Sequence, residues 1–167
     1  MKKCIVILLL VPLLGFSQEK NKRVEFNSIS LNPLSIYLGG PGGFSISGDI
    51  GLSYKGNDFL VSGQFGEELN LFGSEGDSFA EISLSWGKKS ELTSWLQWEG
   101  FVGLSYFNYK RKNLDFTHDR SITVGVPFIT KLKFMIGNSF SIGTQVRINM
   151  NTVQSVMSGG LSFQVDF

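Results

Sequence analysis

The sequence has one cysteine, Cys4, and one histidine, His118, in 167 residues. A thiolate- or histidine-rich metal centre needs three or four such ligands, so none can be built here. A disulfide within the chain is excluded for the same reason. Charge of one sign is also lacking: 15 basic residues face 14 acidic ones. That balance excludes the strongly basic footprint of a nucleic-acid-binding surface. Long apolar runs are scarce. The single one is Cys4 to Leu14 (CIVILLLVPLL), too short for the ~20 helical residues that cross a bilayer. Any membrane crossing elsewhere must therefore be made of strands. Prolines number only four, so few positions are barred from a hydrogen-bonded ladder.

The apolar run has the layout of an export signal. Lys2 and Lys3 form a basic lead, and Gly15-Phe16-Ser17 puts small residues at the positions that flank a cut after Ser17. Residues 1–17 are thus expected to be a cleavable signal peptide, with 18–167 as the mature domain. A retained N-terminal anchor is the alternative. Cys4 stands at the start of the apolar run, not at its end, which argues against a lipid-anchored cysteine. Loss of Lys2 and Lys3 leaves 13 basic against 14 acidic residues, a net charge of −1.

What is present is a glycine-rich, aromatic-rich chain, with 20 glycines and 15 phenylalanines, a composition suited to sheet. Apolar and polar residues alternate with the two-residue period of half-buried strands. The first strand either spans about 24–38 or has only its second half in the membrane, the segment before 34 being a periplasmic extension in that case. Its apolar parity switches from Val24 and Phe26 to Ile29 and Leu31, then back at Leu34, Ile36 and Leu38. The switch beside Asn32-Pro33 predicts a bulge, since Pro33 cannot donate to a ladder. Clean alternation follows at 44–54, 59–66, 79–86 and 96–107. It continues at 122–134, where Pro127 calls for a bulge or edge-like geometry, and at 140–150. The last strand is Leu161, Phe163, Val165 and Phe167 against Ser162, Gln164 and Asp166. A free chain end would normally fray; an apolar final residue in phase with a strand is expected to be paired and covered. No helix is indicated. Short turns are expected at 55–58, 87–91 and 137–139, and longer connections at 67–76, 108–119 and 151–159. The glycine-rich segment 39–43 is an additional short turn.

Alternation alone does not orient the faces, because a soluble ligand-binding barrel has the same period. Residue size does. The apolar face carries Phe44, Phe59, Phe65, Trp86, Trp98, Phe128, Phe134, Phe140, Phe163 and Phe167, too many large rings for the interior of eight strands. The apolar face is therefore expected to point outward. The opposite face is mostly Ser, Gly, Gln and Thr with Asp49, Glu81, Glu99 and Asp166 against Lys131, Lys133 and Arg147. Buried, these charges must pair, and Glu99 with Arg147 is the expected interior pair, both being mid-strand. Aromatics cluster at strand ends: Tyr54 and Phe59; Trp86, Trp95 and Trp98; Tyr106, Phe107 and Tyr109. Such clusters suit girdles at two membrane surfaces.

With those residues set out, residues 24–167 resemble the small eight-stranded outer-membrane barrels, the transmembrane domain of OmpA and the β-barrel-domain proteins of Bacteroidota among them. Asn32-Pro33-Leu34-Ser35-Ile36 resembles the opening of the Bacteroidota barrels, and the Ser17-Gln18 junction resembles their export signals. The terminal LSFQVDF resembles the segment read by the outer-membrane insertion machinery. The resemblance implies an all-β, antiparallel, up-and-down transmembrane barrel in the bacterial outer membrane. It also implies short turns on the periplasmic side and longer loops outside. The partners it implies are outer-membrane lipids and lipopolysaccharide, the insertion machinery through the strand ending at Phe167, and envelope proteins through loops 67–76 and 108–119. With nothing after Phe167, no peptidoglycan-binding domain is expected.

Chemistry is harder to find. His118 with Ser121 and Asp119 is the one candidate for a base beside a hydroxyl. Certain outer-membrane barrels modify lipids with a histidine and a serine, but their motif is not present around His118. Glu67, Glu68, Glu75 and Asp77 do not match a calcium-loop spacing, and Gly39–Gly43 lacks the lysine and helix of a phosphate cradle. Lys110, Arg111 and Lys112 form a basic cluster able to touch lipopolysaccharide phosphates. No catalytic, cofactor-binding or metal-binding residue is assigned, and no cofactor is expected. The expectation is a non-enzymatic outer-membrane barrel with a structural or interaction role, as a subunit of a larger envelope assembly. The alternatives are a lipid-modifying enzyme using His118, a soluble secreted ligand-binding barrel, and a narrow conducting pore.

Overall fold

The computed structural model describes residues 24–39, 42–68, 76–112 and 118–167. The expected signal segment, 1–17, lies outside them. Eight strands follow in order: β1 Glu25–Leu38, β2 Gly43–Tyr54, β3 Asn57–Glu68, β4 Ser78–Thr93, β5 Leu96–Lys112, β6 His118–Ile136, β7 Phe140–Asn151 and β8 Val156–Asp166. Each pairs antiparallel with its chain neighbours, and β8 returns to β1 to close the barrel. Closure removes the free edges that a sheet of this length would otherwise expose.

The apolar parity faces outward, as residue size requires. Ile82 is 66% exposed and Val124 is 67% exposed, whereas Glu99 and Lys131 are each 1% exposed. A soluble protein cannot leave a continuous apolar wall in water. The wall belongs against lipid, so the soluble ligand-binding alternative does not fit.

The parity switches of β1 are bulges. Register shifts fall between Phe26 and Ser28, and between Asn32 and Ser35 against β2; the second recurs against β8. Each shift inserts a residue that keeps Phe26, Ile29, Leu31, Leu34 and Ile36 on the outer face. At the β2–β3 turn, Lys55 and Gly56 have φ of 53° and 73°. A two-residue hairpin needs this left-handed pair to match strand twist.

Three expectations on connections are corrected. Residues 87–91 are not a turn: β4 continues to Thr93 and the chain reverses at 94–95. The segment 108–119 is mostly strand, with β5 running to Lys112 and β6 starting at His118. The last connection is 152–155 rather than 151–159, and Asn151 closes it. Its Oδ1 accepts from the Val153 and Gln154 amides at 2.9 and 2.8 Å, and its Nδ2 donates to the Gln154 carbonyl at 2.8 Å. Of the two geometries expected at Pro127, the bulge is absent, because the β5–β6 and β6–β7 registers pass it without a shift, and the edge-like one is met. The proline sits where the β5–β6 ladder is interrupted opposite Gly103, so its missing donor is not called upon. The reversals at 55–56, 94–95 and 137–139 share one end of the barrel; the 152–155 reversal lies at the other, together with the β1–β2, β3–β4 and β5–β6 strand ends at Leu38, Gly43, Glu68, Ser78, Lys112 and His118.

The seam is formed at the chain terminus. Ser28 pairs with Asp166 and Leu31 with Phe163. The Phe167 amide donates to the Asn27 carbonyl at 2.8 Å, and its ring lies 5.1 Å from that of Phe26.

Candidate functional site

Inward parity brings charges from six strands into the lumen. Asp49 of β2 accepts from Arg147 Nη2 at 2.9 Å and from Ser30 Oγ at 2.9 Å, and pairs with Lys131 Nζ at 3.0 Å. Glu81 stands 3.9 Å from Arg147 Nη1. Nearer the 94–95 turn, Lys133 Nζ pairs with Glu99 at 2.6 Å and lies 3.5 Å from Asp166; Lys89 lies 3.8 Å from Glu99. Gln164 joins the two groups. Its Oε1 accepts from Lys131 at 3.4 Å, and its Nε2 donates to Asp166 at 2.7 Å.

The expected Glu99–Arg147 pair is therefore not the one formed. Arg147 turns to Asp49 and Glu81, and Glu99 to Lys133 and Lys89. Parity fixes the face of a strand residue but not its height once the strands tilt and stagger. Lys89 was hidden in the stretch that reads as a turn. With it, four cations meet Asp49, Glu81, Glu99 and Asp166 in one buried network.

The interior is not polar throughout. Tyr37, Phe79, Phe107, Tyr109 and Val156 form one buried apolar cluster. The Phe79 and Phe107 rings stack at 5.5 Å, Tyr37 meets Phe79 edge-on at 5.1 Å, and the Tyr109 hydroxyl donates to Asp77 at 2.7 Å. A second cluster joins Leu60, Phe101 and Ile129. Leu60, Phe79, Phe101, Phe107 and Ile129 share the parity of the polar residues in their strands, a signal open to sequence reading, whereas Tyr109 and Val156 fall in stretches that read as loops. Two of them, Phe107 and Tyr109, were expected in an external girdle; they point inward and cap the lumen, leaving Tyr106 outside at 50% exposure. With Arg147, Phe107, Lys131 and Lys133 all under 2% exposed, the lumen is filled by side chains.

On the outer wall the tryptophans mark one membrane boundary. Trp86 Nε1 donates to Asn57 at 3.3 Å, Trp98 Nε1 donates to Thr130 at 2.9 Å, and Trp95 stacks on Phe134 at 5.9 Å. Trp86 and Trp98 face lipid with their polar edges bonded, the arrangement an interfacial belt requires.

The candidate catalytic and ion-binding groups, set aside on sequence grounds, are not assembled by what is described. The His118 backbone pairs with Lys112 and Ser121 pairs with Tyr109; the His118 side chain and Glu75 lie outside the described residues. Among the described residues, no group of three or more His, Cys, Asp or Glu side chains is placed to hold a metal. The basic cluster divides. Arg111 lies over the Tyr109 ring at 6.0 Å, while Lys110 stands on the outer wall directly opposite Arg120, a partner that sequence adjacency could not reveal.

No protein-family model matches the chain, and no curated protein matches it. Solved structures do. Neisserial surface protein A superimposes with a TM-score of 0.65 at 15% identity, over 86% of this chain and 97% of that one. The N-terminal β-barrel domain of Pseudomonas aeruginosa OprF gives 0.61 at 15% identity, over 86% and 100%. Ail, the attachment invasion locus protein of Yersinia pestis, gives 0.56 at 14% identity, over 86% and 98%. At these identities the likeness is one of fold. Together with the lipid-facing wall, it defines the chain as an eight-stranded transmembrane barrel of the bacterial outer-membrane type.

Proposed function

We propose that the protein is a non-enzymatic outer-membrane barrel that acts as a structural or docking subunit in a larger envelope assembly, engaging its partners through the external ends of the β3–β4 and β5–β6 hairpins. The observation that carries this reading is strand length. β5 has 17 residues and β6 has 19, whereas a tilted strand crosses a bilayer in about 9–11. Much of the excess lies beyond Tyr106 and Ile122, where the outer wall turns polar at Asn108, Lys110 and Arg120. A filled lumen leaves the rim and the wall as the surfaces free to make contacts. Residues 1–17 act as the cleaved export signal of the 18–167 barrel domain, and the strand ending at Phe167 is presented to the insertion machinery. The outer leaflet's lipids and lipopolysaccharide are the wall's immediate partners.

Gentle-detergent extraction followed by native electrophoresis tests the role. The native protein is expected to migrate in a complex larger than the barrel, and a variant with residues 109–119 replaced by a short hairpin turn is expected to migrate alone. Migration of both as the bare barrel would refute the docking role. The mass of the mature protein tests the cut after Ser17.

A further inference from the structure

On the outer wall, one row of residues crosses four strands at the external boundary: Glu67 on β3, Ser78 on β4, Lys110 on β5 and Arg120 on β6. The row beneath is Phe65, Ala80, Asn108 and Ile122. Lys110 and Arg120 are exposed and are directly opposed in the ladder, which brings their Cβ atoms to about 4.5–5.5 Å. Like charges so placed repel. Among the described residues, no ion pair joins either of them to a carboxylate, and the one acid of the row, Glu67, is two strands away from Lys110. Arg120 is also held in place, since its Nε donates to Asn108 Oδ1 at 2.9 Å. That bond directs the rest of the guanidinium fork away from the amide.

These residues line a cleft of about 480 Å³ formed by Phe65, Ser78, Phe79, Ala80, Asn108, Lys110 and Arg120. Its chemistry is divided by height. The lower side sets Phe65 and Ala80, continuous with the wall that meets acyl chains, beside the Asn108 amide; the upper side carries two cations and a hydroxyl. The small side chains of Ala80 and Ser78, flanked by Phe65, leave the depression open. We propose that this cleft binds the phosphate group of a phosphorylated outer-leaflet lipid, with Lys110 and Arg120 as the clamp and the Phe65–Ala80 floor against the first acyl chain. A guanidinium fork and an ammonium on one oxyanion make charge-assisted hydrogen bonds, and the anion relieves the repulsion built into the ladder. A lipid is the occupant because the cleft opens sideways into the membrane boundary, where a phosphate arrives attached to acyl chains. The inference rests on the reading of the chain as an outer-membrane barrel in contact with outer-leaflet lipid.

The test uses the full barrel refolded into detergent micelles, with folding checked by heat-modifiable electrophoretic migration. Binding of bisphosphorylated lipid A is titrated against the native protein, the double variant Lys110→Gln/Arg120→Gln, and a charge-matched control at the opposite rim, Lys55→Gln/Lys88→Gln. The double variant is expected to bind at least about tenfold more weakly, with the control within about twofold of the native protein. Dephosphorylated lipid A is expected to bind the native protein as weakly as lipid A binds the double variant. Equal affinity of the native protein and the double variant overturns the site, as does an equal loss in the control or undiminished binding of the dephosphorylated lipid. Displacement of lipid A by millimolar inorganic phosphate overturns the lipid as occupant. Failure of the native protein to fold in micelles refutes the barrel reading instead and is scored separately by the migration assay.

Discussion

Replacement of Asp49 by alanine should destabilise the barrel by about 3–5 kcal/mol, the range found when one partner of a buried ion pair is removed. The magnitude follows from what stays behind. The Asp49 side chain is fully buried and receives Arg147 at 2.9 Å and Lys131 at 3.0 Å. Without it, Arg147 keeps only Glu81 at 3.9 Å, and Lys131 keeps the neutral Ser30 and Gln164. Two cations are then enclosed with no acid in close contact, Glu81 standing at 3.9 Å from Arg147 and Glu99 acting on Lys131 only at longer range. Equilibrium urea unfolding of the barrel in lipid vesicles measures the change, and the slope should match that of the native protein if the same surface is exposed on unfolding. A double-mutant cycle isolates the contact. Asp49 and Arg147 should couple by roughly 0.5–3 kcal/mol, and Glu99 and Arg147 by less than about 0.5 kcal/mol. A loss below about 1 kcal/mol for Asp49→Ala, as for an exposed pair, would refute the reasoning. So would equal coupling in both cycles.

Other consequences are as direct. Ile82→Arg, on the lipid face, should cost about 2–4 kcal/mol if the residue lies near the bilayer midplane; the same unfolding assay measures it, and an unchanged midpoint would mean the wall does not face lipid. Deletion of Phe167 removes the amide bond to Asn27 and the ring contact with Phe26. The variant should assemble more slowly into vesicles, as followed by the shift in electrophoretic migration over time, and native assembly kinetics would contradict the role given to that residue. Tyr109→Phe breaks the hydroxyl bond to Asp77 and should lower stability by about 1 kcal/mol while leaving the fold intact by circular dichroism.

Alternation made most of the architecture readable, since a two-residue period with one apolar face admits few folds once the rings prove too large for an interior. Even the irregular first strand was readable, because Pro33 and a parity switch coincide. What misled was polarity at strand ends. Gly87 to Glu91, Asn108 to Lys112 and His118 to Asp119 have the composition of turns, yet they are strand. Where a strand leaves the apolar band, both of its faces turn polar, and the two-residue signal vanishes while the ladder continues. Lys89 was lost to the lumen for that reason, and the Lys110–Arg120 apposition was lost with it. The interior pairing failed on different grounds: Asp49 and Arg147 lie 98 positions apart, and stagger around a tilted barrel decides which inward residues share a level.

The central claim is that alternate residues face lipid and a filled lumen. Spin labels on single cysteines along β5, with Cys4 replaced, test it most directly by accessibility to oxygen and to a water-soluble nickel chelate. Labels at 102, 104 and 106 should be open to oxygen and closed to nickel, while labels at 105 and 107, where the native side chains are buried, should be shielded from both. Nickel access at 105 and 107 would mean a water-filled lumen, and an inverted pattern would mean that the apolar face points inward; either would contradict the account.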